Sequence, residues 1–251
     1  MTFKDFWTNE NNPALPMQDY LYNTRHILVL VAVCLVTIVM SIFFARKSEK
    51  TKNALFTTFA VLFLFFEILS RVVNLIIADS YSLENIAKIL LPMHICSVMV
   101  WVFIIALFTK KQWLLNFSAI GGIIATIAFL LYPAVGLNRV FMSFTCLYST
   151  ISHCLGFVCC ILLIVLGRTK FEMKRVWQPL LCFAVMFAYG ALLNFVIFPG
   201  SDYMYMVNDP LELNLSIPYQ IVYGFALVIY TFAFHIIYET IAKCKKKKIQ
   251  K

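Results

Sequence analysis

Residues 54–78 read ALFTTFAVLFLFFEILSRVVNLIIA, and this run decides the class of fold. A helix needs about 20 mostly apolar residues to cross the hydrocarbon core of a bilayer, and this run exceeds that length. Its only charged side chains are Glu67 and Arg71. Because lipid offers no hydrogen bonds to the backbone, we expect the run to form an α-helix whose peptide groups satisfy one another.

Six further runs of similar character flank this one, so the sequence predicts an all-α polytopic membrane helix bundle with about seven transmembrane helices. The predicted spans are 26–45, 54–78, 86–109, 113–132, 143–166, 177–198 and 217–240. No stretch remains for a soluble domain, so residues 1–251 are predicted to be a single transmembrane domain. It carries a polar N-terminal segment, 1–25, and a basic tail, 241–251.

The composition supports the membrane class and excludes several others. Apolar residues make up 62% of the 251 residues and charged residues 13%, against about half and about a quarter in soluble domains. This excludes an ordinary cytosolic enzyme, a disordered chain and a small secreted disulfide scaffold. The eight cysteines show no disulfide framework or zinc-type CxxC pair. We predict no nucleic-acid partner, because the basic residues behind the net charge of +9 lie between the apolar runs and at the C-terminus. We also predict no cofactor.

The distribution of Lys and Arg predicts the orientation of the spans, since cytoplasmic loops carry an excess of both. Sixteen lie in the first, third and fifth loops and the tail, and only four lie on the opposite side. The N-terminus is therefore predicted outside and the C-terminus inside a cell membrane. The lysine-rich tail is either a topology signal or a contact for anionic lipid heads.

Ionisable residues inside spans are costly and usually face the protein interior. Glu67, Ser70, Arg71 and Asn74 share one face of the second span at spacings of three and four residues. Glu67 and Arg71 can therefore pair directly. Two readings stay open: a buried ion pair that locks packing, or a role in substrate binding.

The third span begins Leu-Pro-Met-His-Ile-Cys-Ser at 91–97. Pro92 removes a backbone hydrogen bond and favours a kink, just before His94 and Cys96. The fifth span carries a small or polar stripe at positions 145, 149, 153, 156 and 160, in which His153 needs a partner.

Several polar residues from five predicted helices fall at one depth, in the outer half of the bilayer. We therefore predict one polar cavity open to the outer side, with Glu67 near its floor. The other residues assigned to this depth are His26, Arg71, Asn74, His94, Cys96, His153 and Asn194.

Other interpretations of these polar residues remain open. Intramembrane acidic, basic and His residues also mark solute transport or substrate-binding proteins, although we find no paired halves with broken helices. A third class is a seven-span receptor or photoreceptor. The last span contains no Lys for retinal attachment, which disfavours the photoreceptor and leaves a ligand-sensing role open. A zinc site from His26, His94, Cys96 and His153 has suitable ligand types but lacks a ligand-spaced motif, and we predict no metal.

The segment 91–97, the buried His153, and Asn194 followed by Asp-Tyr-Met-Tyr-Met at 202–206 resemble the YwaF-type bacterial integral membrane proteins. The resemblance in length and span pattern covers nearly the whole chain. That family is similar to eukaryotic multispan acyltransferases that move acyl chains between phospholipids with a Cys and a nearby His. More distantly, it resembles multispan hydrolases of lipid esters.

The resemblance implies a Cys/His-dependent lipid acyltransferase or lipid ester hydrolase that acts on membrane phospholipid. Cys96 is then the nucleophile, and His153 or His94 its base. The resemblance adds Tyr203 to the substrate-binding residues predicted from depth: His26, Glu67, Arg71, Asn74 and Asn194. The oligomeric state is not predicted.

Overall fold

The computed structural model describes residues 6–7, 22–78, 80–131, 143–208 and 218–249, the side chains of 245–249 excepted. Throughout these residues the regular secondary structure is helical and no strand occurs. The all-α fold class is therefore confirmed. Ser216 precedes the last predicted span and Pro218, which indicates an N-cap by residue type, but it lies outside the described residues.

Eight α-helices carry the predicted spans within the described residues. They are α1 (Thr24–Ala45), α2 (Glu49–Ile76), α3 (Leu83–Leu90), α4 (Ile95–Thr109), α5 (Gln112–Leu131), α6 (Phe144–Val165), α7 (Trp177–Leu192) and α8 (Tyr219–Ile249). Six of the described helical elements are long and apolar enough to cross a membrane. Helices α3 and α4 form a bent pair, and this pair gives a seventh span if it crosses the membrane as one unit. The predicted count holds if that pair forms one span.

Capping side chains set where four of the helices begin. Asn23, Ser48, Ser82 and Ser143 each accept a hydrogen bond from a backbone N–H in the first turn that follows. Such bonds satisfy N–H groups that have no partner within the helix. Ser48 is the N-cap of α2, which starts at Glu49, five residues before the predicted span. The charged turn at 49–53 therefore belongs to the same helix as the apolar run.

The third predicted span is broken at Pro92, as the sequence indicated. Helix α3 ends at Leu90, α4 starts at Ile95, and the two axes differ by 57°. Proline has no N–H and its ring clashes with the preceding turn, so the helix cannot continue through it. The pair is either one bent span or a re-entrant segment.

The last two predicted spans also do not end as regular α-helices at the edge of the apolar run. Helix α7 passes into a π-turn over Leu193–Ile197. Helix α8 continues to Ile249, so much of the predicted tail 241–251 is a helical extension of the last span.

The chain divides into two compact units. The first contains the described residues up to Pro92 together with Cys96–Arg168, and the second contains Met93–Ile95 and those from Thr169 onward. In the first unit, α6 packs against α1, α2 and α5. In the second, the segment after Thr169 packs on α8 through Phe171, whose ring centre is 5.2 Å from that of His235.

Candidate functional site

The charged pair of α2 is buried and joins a third side chain on α6. Glu67 has no exposed surface, and its Oε1 accepts from Nε of Arg71 at 2.9 Å and also from Nη2. The other oxygen, Oε2, accepts from the hydroxyl of Tyr148 at 2.5 Å. Both carboxylate oxygens are therefore paired, as a buried charge requires.

The same arginine also bonds the backbone at the break in the third span. Its Nη1 donates to the carbonyl of Leu91 at 3.2 Å and to the carbonyl of Ile89. These carbonyls would accept from residues four positions later in an uninterrupted helix. Arg71 therefore stabilises carbonyls that lose their usual donors where α3 ends.

Cys96 is the second residue of α4, and this half-buried residue forms no disulfide. The spacing of three and seven residues places it on the same face as Met99 and Phe103. That face packs on glycines: Met99 lies beside Gly121 and the ring of Phe103 lies against Gly122.

Phe103 connects α4 to three neighbouring helices. Its ring stacks on Phe63 of α2, with centroids 5.0 Å apart. It also fills the space beside Gly122 of α5 and lies 3.6 Å from the position that a Cβ of Gly156 on α6 would take. Larger residues at these glycines would collide with the ring or with Cys160 and Thr126. Part of the small-residue stripe on α6 is therefore a packing surface.

His153 is held on two sides within the first unit. Its Nδ1 lies 2.7 Å from the carbonyl oxygen of Ser149, and its ring stacks on Phe129 with centroids 3.7 Å apart. A carbonyl can only accept, so Nδ1 carries a proton, and in the neutral ring the lone pair is therefore on Nε2. The residue as a whole is 8% exposed.

Two other predicted residues of the first unit bond neighbouring protein groups. His26 accepts from the backbone N–H of Tyr22 at 3.0 Å through Nδ1, and its Nε2 lies 2.7 Å from the carbonyl of Leu130. It thereby joins α1 to α5 and has no ring nitrogen left for a ligand. Asn74 donates to the hydroxyl of Ser70, one turn earlier on the predicted face.

The second unit brings three predicted residues together. Asn194, on the π-turn, donates to the carbonyl of Tyr203 at 2.9 Å and accepts from its N–H at 2.7 Å. The ring of His94 lies against the rings of Tyr203 and Tyr205, with centroids 5.9 and 6.2 Å away. Asn194 therefore fixes the backbone of the segment on which His94 packs.

The backbone beyond Tyr203 adopts an unusual conformation. Met204 and Tyr205 have positive φ angles of 61° and 52°, a region that costs energy for residues other than Gly. Met204 is buried against Gly190, where a Cβ would meet its sulfur at 3.0 Å. Packing on α7 and the amide of Asn194 together hold this turn.

Tyr148 is the participant that sequence reasoning missed. Its position five residues before His153 is unremarkable in an aromatic-rich span, and only the approach of α6 to α2 makes it a partner of Glu67. Among the described residues, no group of three or more His, Cys, Asp or Glu side chains is arranged to hold a metal ion.

Comparison with known proteins gives one match. The model of the TMEM164 family matches residues 21–238, which is most of the chain. No curated protein and no solved structure matches it.

Proposed function

The chain belongs to the TMEM164 family of multispan membrane proteins, and on that premise we propose that it transfers or hydrolyses acyl chains of membrane phospholipids. Cys96 is the nucleophile in this proposal and His153 is its base. The likeness to the YwaF-type proteins and to lipid acyltransferases, noted from the sequence, forms part of the same proposal.

The observation that carries the proposal is the closeness of Phe103 to Gly156, since the Phe103 ring lies 3.6 Å from the position that a Cβ of Gly156 would take. Cys96 lies seven residues before Phe103, and His153 lies three residues before Gly156. Gly122 lies beside Cys160 and Thr126 beside Gly156, so α5 and α6 run in opposite directions. Only two residues join α4 to α5, and we infer that α4 and α6 run in the same direction. With a rise of 1.5 Å per residue, the nucleophile and the base differ by about 6 Å along the helix axes.

The direction of the side chains reduces this separation of Cys96 and His153 along the helix axes. Long side chains of a helix point toward its N-terminus, and His153 follows the rule because its Nδ1 reaches the carbonyl of Ser149. The ring thus extends toward the level of Cys96. A neutral imidazole with a free Nε2 has the protonation state that a general base needs.

The chemistry needs only these two side chains and a lipid ester. Nε2 of His153 takes the thiol proton, and Sγ of Cys96 attacks the ester carbonyl. The carbon–oxygen bond breaks, the imidazolium protonates the departing lysolipid oxygen, and the acyl group remains as a thioester. A second lysolipid hydroxyl, or water, then attacks the thioester with its proton passing to Nε2, and the thiol is restored.

The start of α4 supplies a group that favours the charged intermediates. The first N–H groups of an α-helix have no acceptor within it, and the helix dipole places partial positive charge there. The N–H groups of Cys96 and Ser97 belong to this first turn. They are suited to an oxyanion and to a thiolate at Cys96.

The remaining predicted site residues are assigned either to positioning or to lipid binding. His26, Glu67, Arg71 and Asn194 bond protein groups through the polar atoms described above, and we assign them to positioning. Asn74 and Tyr203 are each proposed to bind lipid, and Asn74 would exchange its hydrogen bond to the Ser70 hydroxyl for one to a headgroup oxygen. His94 remains the alternative base.

The proposal extends to where the protein resides and which lipids surround it. We propose a multi-pass protein of the cell membrane whose C-terminal lysines lie against anionic lipid heads, as the excess of Lys at one end indicates.

The test incubates purified protein in mixed micelles with phosphatidylcholine that carries a labelled acyl chain. We expect a hydroxylamine-sensitive label on the peptide that contains Cys96, and loss of label and turnover in Cys96→Ala. His153→Ala should slow turnover by about 100-fold or more. Label that persists undiminished in Cys96→Ala removes Cys96 as the acyl carrier.

Cys154→Ala is the matched control, because Cys154 is adjacent to His153 and is also a half-buried free thiol. Its label and turnover should equal those of the wild type. Equal losses in Cys96→Ala and Cys154→Ala would indicate general damage rather than removal of a nucleophile.

A further inference from the structure

We propose that Tyr148, Glu67 and Arg71 act as one positioning group that determines where α4 begins and hence where the thiol of Cys96 lies. The assignment of a reactive role to Cys96 rests on the proposed function. The positioning itself concerns the geometry of the broken span and is tested without turnover.

The first step is the burial of the carboxylate. Glu67 is fully buried, and its two oxygens accept from side chains of two helices, α2 and α6. A buried charge with every oxygen bonded has little freedom to move, because each displacement leaves a group unsatisfied. Tyr148 thereby ties α6 to the rotamer of Glu67.

The second step is the orientation of the guanidinium. Arg71 donates Nε and Nη2 to Glu67, so the plane of its fork is set by the carboxylate. The remaining nitrogen, Nη1, then faces the carbonyls of Ile89 and Leu91. The planar guanidinium keeps Nη1 in a fixed direction relative to the Glu67 carboxylate, whereas the ammonium group of a lysine rotates freely.

The third step leads from the carbonyls to the thiol. Leu91 is bonded to Arg71 and is followed by Pro92, whose ring fixes φ. Only three residues separate Pro92 from Cys96. The direction in which α4 leaves the break therefore depends on the bonded carbonyls, and the pair Phe63 and Phe103 holds the helix further along.

The experiment measures alkylation of single cysteines by N-ethylmaleimide, resolved by mass spectrometry, in detergent-solubilised full-length protein. In Tyr148→Phe one hydrogen bond to Glu67 is lost and the shape is kept. We expect the rate at Cys96 to change by about fivefold, the size of one net hydrogen bond. The rates at Cys154 and Cys182, which are also half-buried, should not change.

Arg71→Lys provides the second variant, since it keeps the charge while removing the fork, and it should change the rate at Cys96 alone in the same direction. Tyr238→Phe is the matched control, because its hydroxyl also donates one hydrogen bond, to the Thr169 carbonyl at 3.0 Å, and that bond involves no residue of α2, α3 or α4. An unchanged rate at Cys96, or a change shared by all three cysteines, would overturn the inference.

Turnover separates this inference from the proposed function. If Cys96→Ala retains acyl transfer while Tyr148→Phe still alters Cys96 alkylation, the chemistry is wrong and the positioning stands. If turnover depends on Cys96, Tyr148→Phe should lower kcat with little change in KM, because in this proposal the phenol acts on the thiol through Glu67 and Arg71 and does not bind the substrate.

Discussion

At the residue scale, the central feature is a buried ionic group that is satisfied on all sides. Glu67 was predicted from spacing to pair with Arg71, and the structure confirms the pair. The sequence could not reveal that Tyr148 completes it, because that contact joins residues 81 positions apart on two helices. Removing one partner of a buried ion pair leaves the other partner as a buried charge without compensation.

Glu67→Ala should therefore destabilise the protein by about 3–5 kcal/mol, because Arg71 and Tyr148 lose their acceptor. The measurement is the free energy of unfolding in mixed detergent micelles. Glu84→Ala is the control, since the Glu84 side chain is 62% exposed and that of its ion-pair partner Lys88 is 35% exposed. Similar losses in the two variants would contradict the importance of the buried group.

At the scale of elements, packing of α4, α5 and α6 depends on glycines, because a residue without a side chain lets the helices approach closely. Gly122 faces Phe103 and Cys160 so closely that an added Cβ would collide with both. Small residues permit such approach between membrane helices. The small stripe on α6 was predicted from sequence, whereas the insertion of Phe103 from α4 was not, because it requires knowing which helix faces which.

Gly122→Ala should destabilise the protein by about 1–3 kcal/mol through overpacking, despite the intrinsic helix preference of Ala. Gly224→Ala on α8 is the matched control, because nothing lies within 4 Å of its added Cβ. The control should match or exceed the wild type in thermal unfolding. A loss in Gly224→Ala that equals the loss in Gly122→Ala would refute the packing argument.

At the scale of the whole molecule, the number of spans and the charge of the connecting segments determine orientation. The described helices fit six or seven spans, and the excess of Lys and Arg predicts a cytoplasmic C-terminus for seven. The orientation stays a prediction, and it is open to a direct test because Cys244 is exposed at the end of α8.

A membrane-impermeant maleimide should label Cys244 only after intact cells are permeabilised, since the positive-inside rule places this end in the cytoplasm. Tyr81→Cys, at a position that is 67% exposed between the second and third predicted spans, should be labelled in intact cells. Labelling of Cys244 in intact cells, with Tyr81→Cys protected, would reverse the orientation.

The amino-acid sequence by itself determined the membrane class, the helical fold, the break at Pro92 and the pairing of Glu67 with Arg71. These features are local, because a run length, a missing N–H and a spacing of four residues act within one helix. Only the tertiary structure decided that Tyr148 bonds Glu67, that Arg71 bonds the broken span and that Phe103 reaches Gly156. Such contacts depend on the rotation and approach of neighbouring helices, which residues far apart in the chain set together.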